Sequence, residues 1–235
     1  MNLIFIMVMG IFLLFRPYPL LAAEDIRVID SDPYSITIEL NTSDMKMDKE
    51  SYNDRIYHKI NINNYGYMRE VGLPQLPVKG QLIGIPSTGG IEIDVIYSDY
   101  DLLSGYNIYP APQRIIDNVQ GVKLDFTIDD RAYSTDAFYP DEIVSRGFSG
   151  FMRDQRVIQL LFYPVQFNPV RHELRYYKRI VVRLTFEGSF YNKEDTNRHK
   201  QGEPVSGNRI IADRKSDTYE LLLRSSILNY NTLGR

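Results

Sequence analysis

The carboxylate pairs Asp129/Asp130 and Asp141/Glu142 are the places where this chain could share a proton between acids or hold a divalent cation. Neighbouring residues on an extended chain point to opposite sides, so neither pair converges on one point, and acidic dipeptides in polar loops serve solubility. Histidines stand at His58, His172 and His199 without an HExxH pair or cysteine partners, which argues against a zinc centre. His58, set among isoleucines, reads as a packed or edge histidine with a hydrogen-bond partner. With no cysteine the chain cannot supply a thiolate nucleophile, and its serines lack the GxSxG elbow that presents a hydroxyl for attack. The glycines of residues 70–90 do not form GxxxxGK followed by Ser or Thr, so they cradle no phosphate. The sequence predicts no catalytic residue, no metal site and no cofactor.

Two basic runs, RHELRYYKR and NRHK, interleave cations with aromatics in the manner of single-strand binders. On a strand, however, Arg171, Arg175 and Lys178 line a solvent face beside Tyr176 and Tyr177. A formal net charge of −3 leaves no broad electrostatic footprint for nucleic acid or anionic lipid. No nucleic-acid partner is expected.

The elements that must carry these residues are strands. Eighteen tyrosines, 12 prolines and many β-branched residues favour sheet over helix. Residues 156–187, RVIQLLFYPVQFNPVRHELRYYKRIVVRLTFE, read as two apolar strands joined by a proline-marked turn, a hairpin-like core unit. Its second strand alternates Ile180, Val182, Leu184 and Phe186 against Arg183, Thr185 and Glu187, the pattern of a half-buried antiparallel strand. The same pattern recurs at Tyr34, Ile36, Ile38 and Leu40, at Ile56, His58, Ile60 and Ile62, at Ile91, Ile93, Val95 and Tyr97, and at Val122, Leu124, Phe126 and Ile128. A short strand is expected at Leu82, Ile83 and Ile85, after the extended, proline-marked VGLPQLP. Residues 41–54 read as a polar loop, and residues 98–118 and 129–155 as long connections. About seven strands with turn signals between them predict an all-β antiparallel sandwich.

Residues 1–23 read as a signal peptide, apolar from Asn2 to Phe15 and closing on Ala22 and Ala23, with cleavage after Ala23. A tilted amino-terminal anchor is the competing reading, and the apolar run is too short for a comfortable membrane span. Export without cysteine means that core burial, not disulfides, holds the fold. The β-sandwich domain is expected over 24–187. Residues 188–216 are charged and polar and read as a flexible linker. A helix over 217–235 follows, with Asp217 and Glu220 as a capping box and Tyr219, Leu222, Leu223, Ile227 and Tyr230 on one face. That face needs a surface: this domain, a partner, or a following domain.

The segments VGLPQLPVKGQLIGIP, RVIQLLFYPVQFNPVRHELRYYKRIVVRLTF and YELLLRSSILNYN, in that order, resemble the amino-terminal propeptide of gingipain-type cysteine peptidases. The resemblance covers about residues 24–230, and the YPVQFNP turn before an alternating strand is its most specific part. It implies an independent β-sandwich preceding a caspase-like catalytic domain, a secreted or cell-envelope location, and a role in folding that enzyme and holding it latent until proteolytic removal. The catalytic Cys and His have no counterpart here, so no enzymatic activity is carried over. The chain is then a fragment of a larger precursor or a free-standing domain acting on a separate peptidase.

The resemblance also implies a partner, the catalytic domain of such a peptidase, with a preference for a basic residue before the scissile bond. A guanidinium in an acidic pocket gains bidentate, charge-assisted hydrogen bonds. Arg131, Arg146 and Arg153 are the inhibitory-loop candidates, and Arg146 leads because Ser145 and Gly147 let it project while Phe148 and Phe151 could anchor the loop. Basic residues of the linker, Arg198, Lys200, Arg209, Arg214 and Lys215, are the candidate processing sites, and the terminal Arg235 is consistent with processing. A reading from a different class is a secreted β-sandwich that binds carbohydrate or a cell-surface protein through its tyrosines.

Overall fold

The strand-forming runs close into two sheets around one apolar layer. In a computed structural model, residues 25–113, 126–152, 155–187 and 217–233 are described. The strands are β1 (Ile26–Ser31), β2 (Ser35–Asn41), β3 (Met45–Tyr52), β4 (Arg55–Ile62), β5 (Gly66–Tyr67), β6 (Pro77–Gly84), β7 (Ile91–Ser104), β8 (Val144–Met152), β9 (Gln155–Phe162), β10 (Val165–Asn168) and β11 (Glu173–Phe186). One turn of helix, α1 (Asp130–Tyr133), precedes β8, and α2 (Asp217–Ser226) lies near the end.

The first sheet is built on β11. It pairs antiparallel with β7 along its length; on its other side β10 takes its first residues and β2 its last, with β1 outermost. The second sheet has the order β5-β6-β9-β8, and β3 and β4 form a separate hairpin. Ile36, Ile38 and Leu40 of β2 with Ile180, Val182, Leu184 and Phe186 of β11 face Ile83, Ile158, Leu160 and Phe162 of the second sheet, all buried. The period-two alternation thus sets the sandwich core, as the all-β expectation requires. A second cluster, around Ile60, Ile62, Leu76, Ile108, Phe167 and Leu174, ties the β3–β4 hairpin to the sandwich.

Several expectations are corrected. Residues 156–187 are not one hairpin: β9 and β11 belong to different sheets and meet across the core. Pro164, which has no N–H to give a ladder, stands where the chain crosses over, and β10 then makes the real hairpin with β11. Residues 41–54 are not a loop. Met45 and Met47 pack on the second cluster, and Asn53 and Asp54 at φ 47° and 60° make the two-residue turn. β7 runs to Ser104 through the acidic SDYDLLS because β11 supplies backbone partners for its whole length and Lys178 pairs with Asp101 at 3.0 Å. On β4 the face is mixed, since Tyr57 is buried beside Tyr109 and Phe126 while Ile56 is 54% exposed. Val122 and Leu124 lie outside the described residues, and residues 126–129 are not strand; Phe126 stacks on Tyr52 instead.

Strand β2 is buried on both faces, where alternation predicts a polar outer side. Glu39 is only 1% exposed, and Arg27 of β1 and Arg179 of β11 reach it across the sheet at 2.5 and 2.6 Å. Asn41 adds a bond at 3.1 Å. Burial opposes the charge, but these hydrogen bonds outweigh it and hold the Glu39 carboxyl below its ordinary range.

Helix α2 packs on this domain. It ends at Ser226, short of the expected span, because Ile227 turns into a bridge with Leu82 of β6. Leu223, Ile227, Tyr230 and Leu233 are buried on Val157 of β9, with Tyr219 beside them, whereas Leu222 is 50% exposed and off the packed face. Among the described residues no helix is long and apolar enough to cross a membrane.

Candidate functional site

Residues 144–152 are an edge strand. β8 pairs only with β9, so its outer row of backbone groups faces away from the sheet. The strand carries Ser145, Arg146, Gly147, Phe148, Ser149, Gly150 and Phe151 in a run that neither alternates nor buries. Between the pairs Arg146–Leu160 and Ser149–Ile158 the register shifts, with Gly147 and Phe148 opposite the single residue Gln159. This is a β-bulge, which bends the edge and re-aims the side chains beside it. A Cβ on Gly147 would stand 2.9 Å from the Gln159 carboxamide oxygen and 3.2 Å from Leu161, so glycine lets the bulge lie close on β9.

Arg146 is exposed at the start of this bulge and Phe148 and Phe151 are 60% and 61% exposed. The register sets Arg146 opposite Leu160 and Phe151 opposite Arg156, two residues of β9 that share a face, so Arg146 and Phe151 project to the same side of the edge. The phenylalanines do not anchor the segment to the fold, as the sequence led us to expect; the Phe148 ring folds back over Gly150, where a Cβ would overlap it. The base of the strand is held by Val144 in the core and by a 3.1 Å bond between the Ser145 and Tyr163 hydroxyls. The result is a basic side chain and two exposed apolar rings along one rigidly backed edge. Its chemistry is that of recognition: a guanidinium for an acidic pocket and ring surface for an apolar rim.

Arg131 is not brought to this edge by any observed contact. Arg131 is exposed on α1, whose cap is the Asp129 carboxylate accepting from the Ala132 N–H at 2.9 Å. Arg153 lies outside the described residues, between β8 and β9 in sequence. Arg198, Lys200, Arg209, Arg214 and Lys215 also lie outside them.

Several of the candidate acids and histidines find structural work. Asp129 caps α1, and Asp141 accepts from the Glu142 N–H at 3.1 Å. His58 accepts from the Asn107 N–H at 3.2 Å and its ring meets Tyr106 edge-on. His172 turns the β10–β11 hairpin at φ 54°, and His199 lies outside the described residues. Among the described residues no cluster of three metal-ligating side chains occurs. The basic run of β11 is paired: Arg171 with Asp136 at 2.7 Å, Lys178 with Asp101, Arg179 with Glu39, and Arg175 stacked 3.8 Å over Phe138. Tyr177, expected beside these on the solvent face, is buried and donates to Gln166 Oε1 at 2.8 Å. The bulge was visible in the sequence only as two glycines inside RGFSGF, an interruption that marks bulges in strands.

Comparison with known proteins agrees with this architecture. Gingipain R1 of Porphyromonas gingivalis is 28% identical over 140 residues, 55% of this chain and 14% of that protein. Lys-gingipain of the same organism is 25% identical over 126 residues, 51% of this chain and 7% of that protein. The chain therefore spans a small part of the curated relatives it matches. Among solved structures, the complex of Porphyromonas gingivalis RgpB pro- and mature domains superposes with a TM-score of 0.70 at 19% identity, covering 88% of this chain and 98% of that one. A structure concerned with the zymogenic latency of gingipain K from Porphyromonas gingivalis gives a TM-score of 0.59 at 18% identity, over 69% of this chain and 92% of that one. Both carry the fold. The Propeptide_C25 family matches residues 18–205, most of the sequence, and the chain belongs to that family.

Proposed function

We propose that this chain acts as the propeptide of an exported gingipain-type cysteine peptidase, assisting its folding and holding it latent through the β8 edge, without catalysis of its own. The observation that carries this reading is Arg146 on an open, bulged edge strand that also presents two exposed phenylalanines, Phe148 and Phe151. An inhibitor must present a basic side chain in extended backbone and resist being cut as a substrate. Backing by β9 and the bulge at Gly147 supply that stiffness. The partner is the catalytic domain of such a peptidase, reached in cis or in trans. Residues 1–23 would direct export, and Arg198, Lys200, Arg209, Arg214 and Lys215 would be cut to remove the propeptide.

The carbohydrate-binding alternative has less support. Of the four exposed tyrosines among the described residues, Tyr34, Tyr52, Tyr97 and Tyr100, three already have partners: Tyr52 stacks on Phe126, while Arg179 covers Tyr97 at 5.1 Å and Arg175 covers Tyr100 at 5.4 Å. That leaves no cluster of free rings on one face.

The test is the inhibition constant of the full chain against the mature peptidase. Arg146→Ala should raise it at least tenfold, a loss of about 1.4 kcal/mol, with Arg131→Ala unchanged. An unchanged constant for Arg146→Ala removes this assignment.

A further inference from the structure

The second sheet has another edge, and it is occupied. β9 covers one side of β6 from Lys79 to Gly84, but β5 covers the other side only at Pro77 and Val78. The backbone from Leu82 to Gly84 would be left open. Ile227 bridges Leu82 in parallel register, and the Leu228 N–H donates to the Leu82 carbonyl at 3.0 Å. Two residues on, the Asn229 side chain takes over from the main chain. Its Oδ1 accepts from the Gly84 N–H at 2.8 Å and its Nδ2 donates to the Gly84 carbonyl at 2.9 Å. A carboxamide is the side chain that can give and accept at once, and here it stands in for a strand partner in a buried position.

Shape agrees with the hydrogen bonding. Leu233 sits directly over Gly84, where an added Cβ would come within 2.6 Å of its Cδ1. Leu223, Ile227 and Tyr230 close over Val157 with Met152 at the border. A residue without a side chain, a reading carboxamide and an apolar cluster together make a built peptide-docking site.

We propose that residues 217–233 are a docked ligand of the β6 edge, held by their own contacts, so that cutting the chain between 188 and 216 does not separate them from the sandwich. Removal of the propeptide then needs two events, cleavage and undocking. This consequence rests on the reading that processing falls in residues 188–216; the docking itself does not.

The test separates the two. A recognition sequence for a site-specific protease is inserted between residues 200 and 205 of the full chain, the chain is cut to completion, and the products are followed by size exclusion and native mass spectrometry across a dilution series. The two pieces should remain together as one species at micromolar concentration. Asn229→Ala should weaken retention at least tenfold. Gly84→Ala should do the same, because it pushes on Leu233, while the double variant Gly84→Ala/Leu233→Ala should retain the fragment as well as Leu233→Ala alone. Far-ultraviolet circular dichroism of the uncut variants confirms that the sandwich is folded. Immediate separation of the wild-type pieces overturns the proposal, as does retention indifferent to both Asn229→Ala and Gly84→Ala. If the pieces stay together but the mature peptidase cuts outside 188–216, docking stands and the processing reading falls.

Discussion

Glu39→Gln should destabilise the sandwich by about 2 kcal/mol at neutral pH, in the range of hydrogen bonds to charged groups. Glu39 joins three adjacent strands: Oε2 accepts from Arg27 of β1 and from Asn41, and Oε1 from Arg179 of β11. A glutamine keeps one acceptor and turns an NH2 group on the other donor, whichever way it flips, so at least one guanidinium is left facing a donor. The loss stays below that of a fully buried ion pair, because the arginine side chains are 64% and 46% exposed and can return to water. The sign of the pH dependence follows from the lowered carboxyl. Its contribution is fully present above the ordinary value of 4.5 and is lost as pH falls through the lower folded-state value. Urea unfolding of both proteins from pH 7 to pH 3 should therefore show a gap that is constant near neutrality and narrows in acid. A gap absent at pH 7, or one that persists undiminished at pH 3, would refute the assignment of the stabilisation to an ionised Glu39.

Other outcomes follow from the same contacts. Phe162→Ala, in the fully buried centre of the core, should cost about 3 to 5 kcal/mol in urea unfolding. Tyr133→Phe removes the hydroxyl that donates to the Ile108 carbonyl at 2.7 Å and should cost about 1 kcal/mol. Burial pushes that phenol above the usual tyrosine range, so spectrophotometric titration of the native protein should count the same number of tyrosinates over that range in wild type and in Tyr133→Phe. Leu223→Ser should speed amide exchange at Leu228, whose N–H is bonded to β6, while Leu222→Ser, on the exposed side of α2, should leave it unchanged.

What the sequence revealed was the inner face of each sheet. Ile36, Ile38, Leu40, Ile180, Val182 and Leu184 announce themselves by strict alternation, because one side of each strand meets the opposite sheet. What it hid were strands whose burial comes from elsewhere. β3 and the second half of β7 are polar along much of their length and become strands because a neighbour offers a complete row of backbone partners. Glu39 breaks the alternation rule for a similar reason: its partners lie on strands 12 and 140 residues away, and no local pattern marks the two arginines as its own. Arg146 was misplaced in a loop, since the two glycines that follow it, Gly147 and Gly150, signal irregular chain equally well whether they end a strand or bulge it.

The two edges of the second sheet explain why the candidate site is at β8 rather than elsewhere. An exposed strand edge invites pairing with any extended chain, and proteins blunt it by covering it or by bending it with bulges and charge. At β6 the edge is covered, by Ile227 and Asn229. At β8 it is left open but bent at Gly147 and marked with a cation at Arg146. That combination disfavours promiscuous strand pairing while leaving backbone, guanidinium and the Phe148 and Phe151 rings free for a partner of complementary shape and charge. The covered edge also restrains the open one, since Met152, the last residue of β8, packs against the same cluster that holds Leu223 and Tyr230. Loosening the docked segment should accordingly loosen the end of β8, and the Asn229→Ala chain, even uncut, should inhibit less tightly than wild type while losing about 1 to 3 kcal/mol in urea unfolding, the cost of leaving the buried Gly84 N–H and carbonyl unpaired.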